Sequence, residues 1–267
     1  MTKSELVRKR LELLEKREHR WVENSLKADG ESWYSRLTGK IPKSVESKLQ
    51  LAFYKGFELL FVKGSGLLGK AYRKESFSQD FSIRDYAFEV KGTGKSLKNV
   101  SGQARRSQLI NAGVTFAEGL GLGLIGLGIP DIPIFLSMLL KGVYEIASSF
   151  GVEYDSQKEK YFILLLLETA VLRGQSRISA NQKTDDFMNG LLRGNTEAFD
   201  FQTQLKATAD AYATDTLFLK FIQGAPVIGA VGGIYNPVYY RKVSAYAALK
   251  YEKRYLLQKS IDLKNCS

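Results

Sequence analysis

Four carboxylates stand in otherwise apolar stretches of this sequence and are its best candidates for chemistry. They are Glu118, Asp131, Glu145 and Glu168. Burial among apolar side chains raises the pKa of a carboxyl group, and such a group can act as an acid or a base. The structural alternative makes Asp131 a helix cap and places the glutamates in hydrogen-bonded positions. Because nothing else catalytic accompanies them, the structural alternative is favoured, and the sequence indicates a non-catalytic protein.

Three other patterns look catalytic but lack the context that the chemistry needs. Residues 121–126 match the dinucleotide-binding pattern G-x-G-x-x-G, yet no strand precedes them. Residues 94–96 (Gly-Lys-Ser) resemble the end of a phosphate-binding loop, but Glu89 stands where its first glycine is required. One histidine, His19, and one cysteine, Cys266, cannot supply a zinc site or a nucleophile with its base. We therefore expect no cofactor and no metal.

Residues 119–140 form the most unusual segment of the chain. These 22 residues carry one charge, Asp131, and glycine recurs at positions 119, 121, 123, 126 and 128. The small side chains allow another backbone, or lipid, to lie close against the segment. Pro130 and Pro133 divide it into halves, each shorter than the about 20 residues that a helix needs to cross a bilayer. We predict a hairpin that is either buried in the protein or in contact with lipid.

The charge of the chain is unevenly distributed. The net charge is +11; residues 1–110 hold 23 Lys and Arg against 13 Asp and Glu, residues 111–240 hold 9 against 13, and residues 241–267 hold 7 against 2. Basic flanks of this kind suggest attraction to a polyanion, either anionic lipid or nucleic acid. The simpler alternative is that the lysines keep an apolar core soluble. The candidate contacts with a membrane or an anion are Arg8, Lys9, Arg10, Lys16, Arg17, Arg20, Arg241 and Lys242.

The apolar spacing predicts an all-α, multi-helix bundle, in which the two glycine-rich segments form a central hairpin and core contacts. A second, weaker glycine-rich run occupies residues 224–233, and Asn236-Pro237 after it is a helix start, with Asn236 as a further candidate functional residue. We predict a basic helical extension over 1–30 and one helical domain over 40–258. The predicted helices span 2–28, 42–61, 78–90, 101–117, 132–150, 156–172, 197–219 and 238–259, with a polar loop over 174–194.

The residues near the two termini indicate the cellular compartment of the protein. A single cysteine next to the C-terminus fits a reducing compartment, and the charged N-terminal residues do not read as a secretion signal. We therefore expect a cytoplasmic protein, peripheral at the inner face of the cell membrane.

The order of the motifs resembles the EcsC protein family over about residues 40–258. The resemblance rests on Gly128–Pro133 (Gly-Ile-Pro-Asp-Ile-Pro), the apolar helix Glu159–Leu167 and the late run Pro226–Asn236. It implies a bacterial helical protein named for an operon that also encodes an ABC transporter, which makes such a transporter a candidate partner. It implies no reaction, because the family has no established catalytic residues to carry over.

Three classes of function are open at this point. The first, which we expect, is a peripheral membrane-associated protein that binds an anionic membrane surface or a membrane protein. The second is an enzyme or a small-ligand or lipid-binding protein with a cavity near Asp131. The third is nucleic-acid binding through the basic flanks, although no recognisable module is present.

Overall fold

The architecture is known from a computed structural model that describes residues 1–27, 43–63, 74–102, 132–196, 198–222 and 235–265. Within these residues every regular element is a helix, which confirms the all-α prediction. Residues 119–131 of the predicted glycine-rich hairpin, most of the predicted helix 101–117 and the second glycine-rich run lie outside the described residues. The remainder of the hairpin segment, residues 132–140, is the first part of a helix, and Leu136 and Leu140 there are fully buried.

The described helices follow one another along the chain. They are α1 (Lys3–Lys27), α2 (Lys43–Glu58, continued by a π-helical turn at Leu59–Lys63), α3 (Lys74–Lys91), α4 (94–102), α5 (Ile132–Ser149), α6 (Gln157–Val171), α7 (Gly174–Leu192), α8 (Phe201–Ile222) and α9 (Tyr235–Asn265).

Helix α6 is the centre of the bundle. Ser156 caps it by accepting a hydrogen bond from the backbone N–H of Glu159 at 3.1 Å, and residues 161–167 after it are all buried. A helix that is apolar all round is stable only when other helices enclose it. Helices α7, α8 and α9 do so.

The remaining helices pack around this centre. Helix α2 lies against α8 and α5, α3 lies against α5, and the long α9 also contacts α5 and α1. Helix α1 buries Val7 and Leu14 and packs on α9 and α7, so the basic N-terminal helix is part of the bundle. The boundary predicted between an extension and a domain falls in residues 28–42, outside the described residues, and that division stays a prediction.

The polar loop predicted over 174–194 is wrong, because these residues form α7. Ala180, Thr184 and Met188 recur every four residues and form its buried face. The Thr184 hydroxyl lies 3.1 Å from that of Thr169 on α6, so a polar side chain is satisfied inside the bundle. A buried face that uses alanine and threonine leaves little hydrophobic periodicity for a sequence pattern to detect.

Four helices meet at a cluster of aromatic rings around Tyr212 of α8. Its ring centroid lies 5.5–6.3 Å from those of Phe53, Phe57, Phe135 and Tyr239, which belong to α2, α5 and α9. The Tyr212 hydroxyl is buried and has no hydrogen-bond partner in the described part of the chain. An unsatisfied buried hydroxyl group destabilises the folded state.

We expect Tyr212→Phe to raise the free energy of unfolding by about 1 kcal/mol, because it removes this hydroxyl and keeps the ring. The measurement is urea denaturation followed by circular dichroism. Tyr239→Phe is the matched control, since the Tyr239 hydroxyl lies 3.2 Å from the Thr216 hydroxyl and its loss should destabilise the protein. A Tyr212→Phe variant less stable than the wild type would contradict the prediction.

Candidate functional site

The candidate cations of α1 fall into two groups. Arg10 is directed inward, where its Nε donates to Glu252 Oε1 at 2.7 Å. The other five are exposed, and so are four glutamates on the same helix; Arg8, for example, lies 4.0 Å from Glu12. The outer surface of α1 is therefore a mixture of both signs with a small excess of positive charge. The exposed residues concerned are Arg8, Lys9, Lys16, Arg17 and Arg20, with Glu5, Glu12, Glu15 and Glu23.

Helix α3 has apolar side chains on two opposite faces. Phe88 is fully buried, and Phe81 packs edge-on against Tyr255 with ring centroids 5.9 Å apart. On the opposite side the spacing i, i+3, i+7 aligns three apolar side chains on one face. These three, which we call the α3 stripe, are Ile83, Tyr86 and Val90, with exposed fractions of 67%, 70% and 63%.

Three exposed lysines follow the α3 stripe along the chain, at the end of α3 and in α4. Gly92 ends α3 in the left-handed conformation (φ +56°), and α4 begins with a reciprocal cap in which the backbone N–H groups of Thr93 and Ser96 each donate to the other's hydroxyl at 3.2 Å. The Gly-Lys-Ser triplet that resembles a phosphate-binding loop is thus the first turn of a helix. Lys91, Lys95 and Lys98 are exposed, and none of them pairs with another described residue.

A second charged site lies where the α6–α7 turn meets α8 and α9. Asp215 of α8 is 4% exposed, and Arg173 donates to its Oδ1 from Nε at 2.9 Å and from a terminal nitrogen at 2.6 Å. Lys242 of α9 lies 3.4 Å from Asp215 Oδ2. Arg177 donates from Nε to the carbonyl of Leu172 at 2.7 Å, at the C-terminus of α6. We call Arg173, Arg177, Asp215 and Lys242 the Asp215 cluster.

The cations of the Asp215 cluster repel one another. Burial, together with the neighbouring Arg173, lowers the pKa of Arg177 to about 10. Burial also lowers the pKa of Lys242, and Arg173 and Arg177 act in the same direction against the attraction of Asp215. Asp215 is the carboxylate that these three cations have in common.

Another ionic cluster joins α1, α7 and α9. Lys250 is fully buried and binds Glu18 and also Asp185, whose Oδ1 is 2.6 Å from the ammonium nitrogen. Lys253 lies 2.8 Å from Glu18 and 3.1 Å from Asp185. Burial alone would raise the pKa of Glu18, but the two ammonium groups outweigh it and lower this pKa to about 2. Two cations and two carboxylates balance inside the bundle.

The predicted carboxylate candidates are distributed over separate parts of the protein. Glu145 is buried on α5. Glu168 of α6 accepts a hydrogen bond from Gln204 Nε2 at 2.5 Å, and burial raises its pKa. Glu118 and Asp131 lie outside the described residues, so the cavity predicted near Asp131 stays a prediction. Asn236 lies in the first turn of α9.

Most of the Asp215 cluster was not predicted from the sequence. Arg177 falls in the polar loop predicted over 174–194, and Arg173 falls between that loop and the predicted helix 156–172. Asp215 belongs to the predicted helix 197–219, whose pattern is amphipathic. The signal available was the Arg-x-x-x-Arg spacing directly after the apolar helix, which places both cations on one side of the α6–α7 turn. Of the four residues of the cluster, only Lys242 is a predicted anion contact. Its neighbour Arg241, also a predicted contact, is exposed and lies outside the cluster.

Two further features are absent from the described residues. No helix among them has the length and apolarity needed to span a membrane. They also contain no group of three or more His, Cys, Asp or Glu side chains that could hold a metal ion.

The fold and these charged surfaces define an all-α bundle protein whose ionic side chains lie both inside and outside. Comparison with known proteins assigns it more closely: the model of the EcsC protein family matches residues 5–256, and the chain belongs to that family. This confirms the resemblance noted from the motifs, and the match includes most of α1.

One curated relative is Protein EcsC of Bacillus subtilis (strain 168). It is 27% identical over 144 residues, which are 53% of this chain and 57% of the relative. The chain therefore matches little more than half of the relative's length. No solved structure matches this chain.

Proposed function

We propose that this EcsC-family protein is a peripheral membrane-associated protein that binds anionic lipid at the cytoplasmic face of the cell membrane. The single observation that supports this most is the exposed α3 stripe, which three exposed lysines follow along the chain. The family resemblance adds a membrane transporter as the proposed partner at that surface.

The chemistry of the α3 stripe suits the boundary between lipid headgroups and acyl chains. Isoleucine and valine supply apolar surface, and tyrosine has an apolar ring with a polar tip, as is typical of membrane interfaces. The adjacent Lys91, Lys95 and Lys98 are free to contact lipid phosphates. Binding of peripheral proteins combines these two contributions, an apolar one and an electrostatic one.

The expected strength is that of a reversible attachment. Burying an aliphatic side chain fully contributes roughly 1.5–3 kcal/mol, and each lysine near an anionic surface contributes about 1 kcal/mol. Lys3 of α1 binds Glu89 near the end of α3, which places the N-terminus of α1 beside the same corner. The exposed cations of α1 can therefore add to the attraction without being the main contact.

The test is flotation of the purified full chain with vesicles of phosphatidylcholine alone or with phosphatidylglycerol added. We expect binding to the anionic vesicles only, and a loss of at least tenfold when Ile83, Tyr86 and Val90 are all changed to serine. Changing Lys91, Lys95 and Lys98 to glutamine should remove most of the salt dependence and leave a weak, salt-resistant contribution.

A matched control separates the α3 stripe from exposed apolar residues in general. Leu13, Leu51 and Ile261 are exposed on α1, α2 and α9, and their change to serine removes a similar number of apolar side chains. We expect this control to bind anionic vesicles as the wild type does. A wild-type protein that stays unbound at low salt would overturn the proposal, and equal losses in both triple variants would overturn the role of the stripe.

A further inference from the structure

The Asp215 cluster differs from the other ion-paired groups of the bundle in its charge balance. Three cations, Arg173, Arg177 and Lys242, surround one carboxylate. Four other groups formed by described residues are balanced: Lys250 and Lys253 with Glu18 and Asp185, Lys3 and Lys259 with Asp85 and Glu89, Arg254 with Glu159, and Arg10 with Glu252. The excess of positive charge is therefore a local property of this cluster.

Part of the excess positive charge of the Asp215 cluster is neutralised within the protein. Arg177 donates to the carbonyls of Leu172 and Ala170, at 2.7 Å and 3.5 Å, and so contacts the C-terminus of α6. That terminus carries about half a negative charge. More than one positive charge is left without compensation among the described side chains.

The arrangement of the cluster directs this excess outward. Asp215 is 4% exposed, whereas the side chains of Arg173 and Lys242 are 20% and 27% exposed. The carboxylate thus lies beneath its cations and holds them in place. Each guanidinium group has five N–H donors, and Asp215 takes only two from Arg173. Donors and positive charge are left for a ligand on the outer side.

Aromatic rings hold the two arginines from the apolar side. The Arg173 guanidinium lies 4.0 Å from the ring centroid of Phe218, and that of Arg177 lies 4.2 Å from the ring of Trp21. Stacking on a ring fixes the plane of a guanidinium group, and a fixed guanidinium plane favours paired hydrogen bonds to a phosphate.

We propose that Arg173, Arg177 and Lys242 form a binding site for a doubly charged phosphate group. The excess charge matches a phosphate monoester, and arginine with lysine is the donor set that proteins use for phosphate. The phosphate comes either from a small phosphorylated molecule or from the monoester headgroup of a lipid. This site is distinct from the α3 stripe and does not depend on it.

The first test is thermal unfolding of the full chain in phosphate, sulfate or chloride at equal ionic strength. A ligand that binds only the folded state raises the melting temperature. We expect phosphate and sulfate each to raise Tm by about 2 °C or more above chloride. Lys242→Gln and Arg177→Gln should each abolish this difference. Arg241→Gln is the matched control, because it removes one exposed positive charge next to Lys242 and should keep the difference.

Asp215→Asn tests the same site in the opposite direction. The variant removes the built-in anion, so it should be less stable than the wild type in chloride and should bind inorganic phosphate at least tenfold more tightly in a calorimetric titration. Equal melting temperatures in the three salts for both the wild type and Asp215→Asn would overturn the proposal.

Vesicles distinguish the two sources of phosphate. If the source is a lipid, inorganic phosphate should compete with binding to phosphatidic acid vesicles, whose headgroup is a monoester, and Lys242→Gln should weaken that binding. If the source is a small molecule, phosphate should bind without such competition; either result supports the site. Binding to phosphatidylglycerol vesicles, which tests the α3 stripe, should be unchanged in Lys242→Gln, so that the two proposals fail separately.

Discussion

Replacing Lys250 with methionine is expected to lower the free energy of unfolding by about 4 kcal/mol. Lys250 is fully buried in α9 and binds Glu18 of α1 and Asp185 of α7. Methionine has a similar length and fills the same space, so the main effect is electrostatic. Two buried carboxylates would be left with Lys253 as their one remaining cation in the cluster, and uncompensated buried charge is costly.

Urea denaturation at neutral pH measures this loss. Lys95→Met is the matched control, because Lys95 is exposed and has no described partner; we expect its stability within about 0.5 kcal/mol of the wild type. A triple variant that also carries Glu18→Gln and Asp185→Asn should recover much of the loss, since it removes the charges that Lys250 neutralises. A loss below about 1 kcal/mol in Lys250→Met would show that water reaches the cluster.

The same variant has a local consequence for α1. Lys250 and Lys253 of α9 both bind Glu18 of α1, and the pair Arg10–Glu252 is a further ionic connection between α1 and α9. Hydrogen exchange of Lys250→Met should therefore increase in α1 more than in α6, because α6 is enclosed by apolar contacts.

Gly151→Ala is expected to lower the free energy of unfolding by about 3 kcal/mol. Gly151 lies in the turn between α5 and α6 with φ +72°, a conformation that residues with a Cβ rarely adopt. A Cβ at this position would also overlap the ring of Phe81 on α3. Backbone strain and overpacking therefore act together where the chain enters the central helix.

Gly194→Ala separates these two causes. Gly194 has a similar φ of +68°, but a Cβ there would meet no other atom within 4 Å. We expect a loss of only about 1 kcal/mol for this control, measured in the same urea titration. Adding Phe81→Ala to Gly151→Ala should relieve the overlap and leave only the backbone strain and the cost of the lost ring contacts. Equal losses for the two glycine variants would show that Phe81 moves aside.

The sequence predicted α5 and α6 well because their signals are local. Ser156 stands before a polar first turn, residues 157–160, and the apolar run begins at Tyr161; the serine is the cap that the structure shows. Residues 161–167 are too apolar for a surface position, and all of them are buried. A helix that owes its burial to its own composition can be placed without knowledge of its neighbours.

Helix α7 shows the opposite case. Its buried Thr184 is satisfied by Thr169, and its Asp185 is neutralised by lysines of α9. Read alone, these residues are typical of a loop, and the prediction failed because the partners that stabilise them come from other helices.

Patterns within the sequence are enough to predict the all-α class, the apolar helices of the second half, the resemblance to the EcsC family and the excess of positive charge. Which of the charged side chains face solvent and which pair with one another depends on how the helices pack. Arg10, Lys250, Lys9 and Lys95 are all cationic, and the sequence alone does not distinguish them. Arg10 and Lys250 are paired inside the bundle, whereas Lys9 and Lys95 are exposed. Lys250 and Glu18 are 232 positions apart, and packing of helices, rather than any local spacing, brings them together.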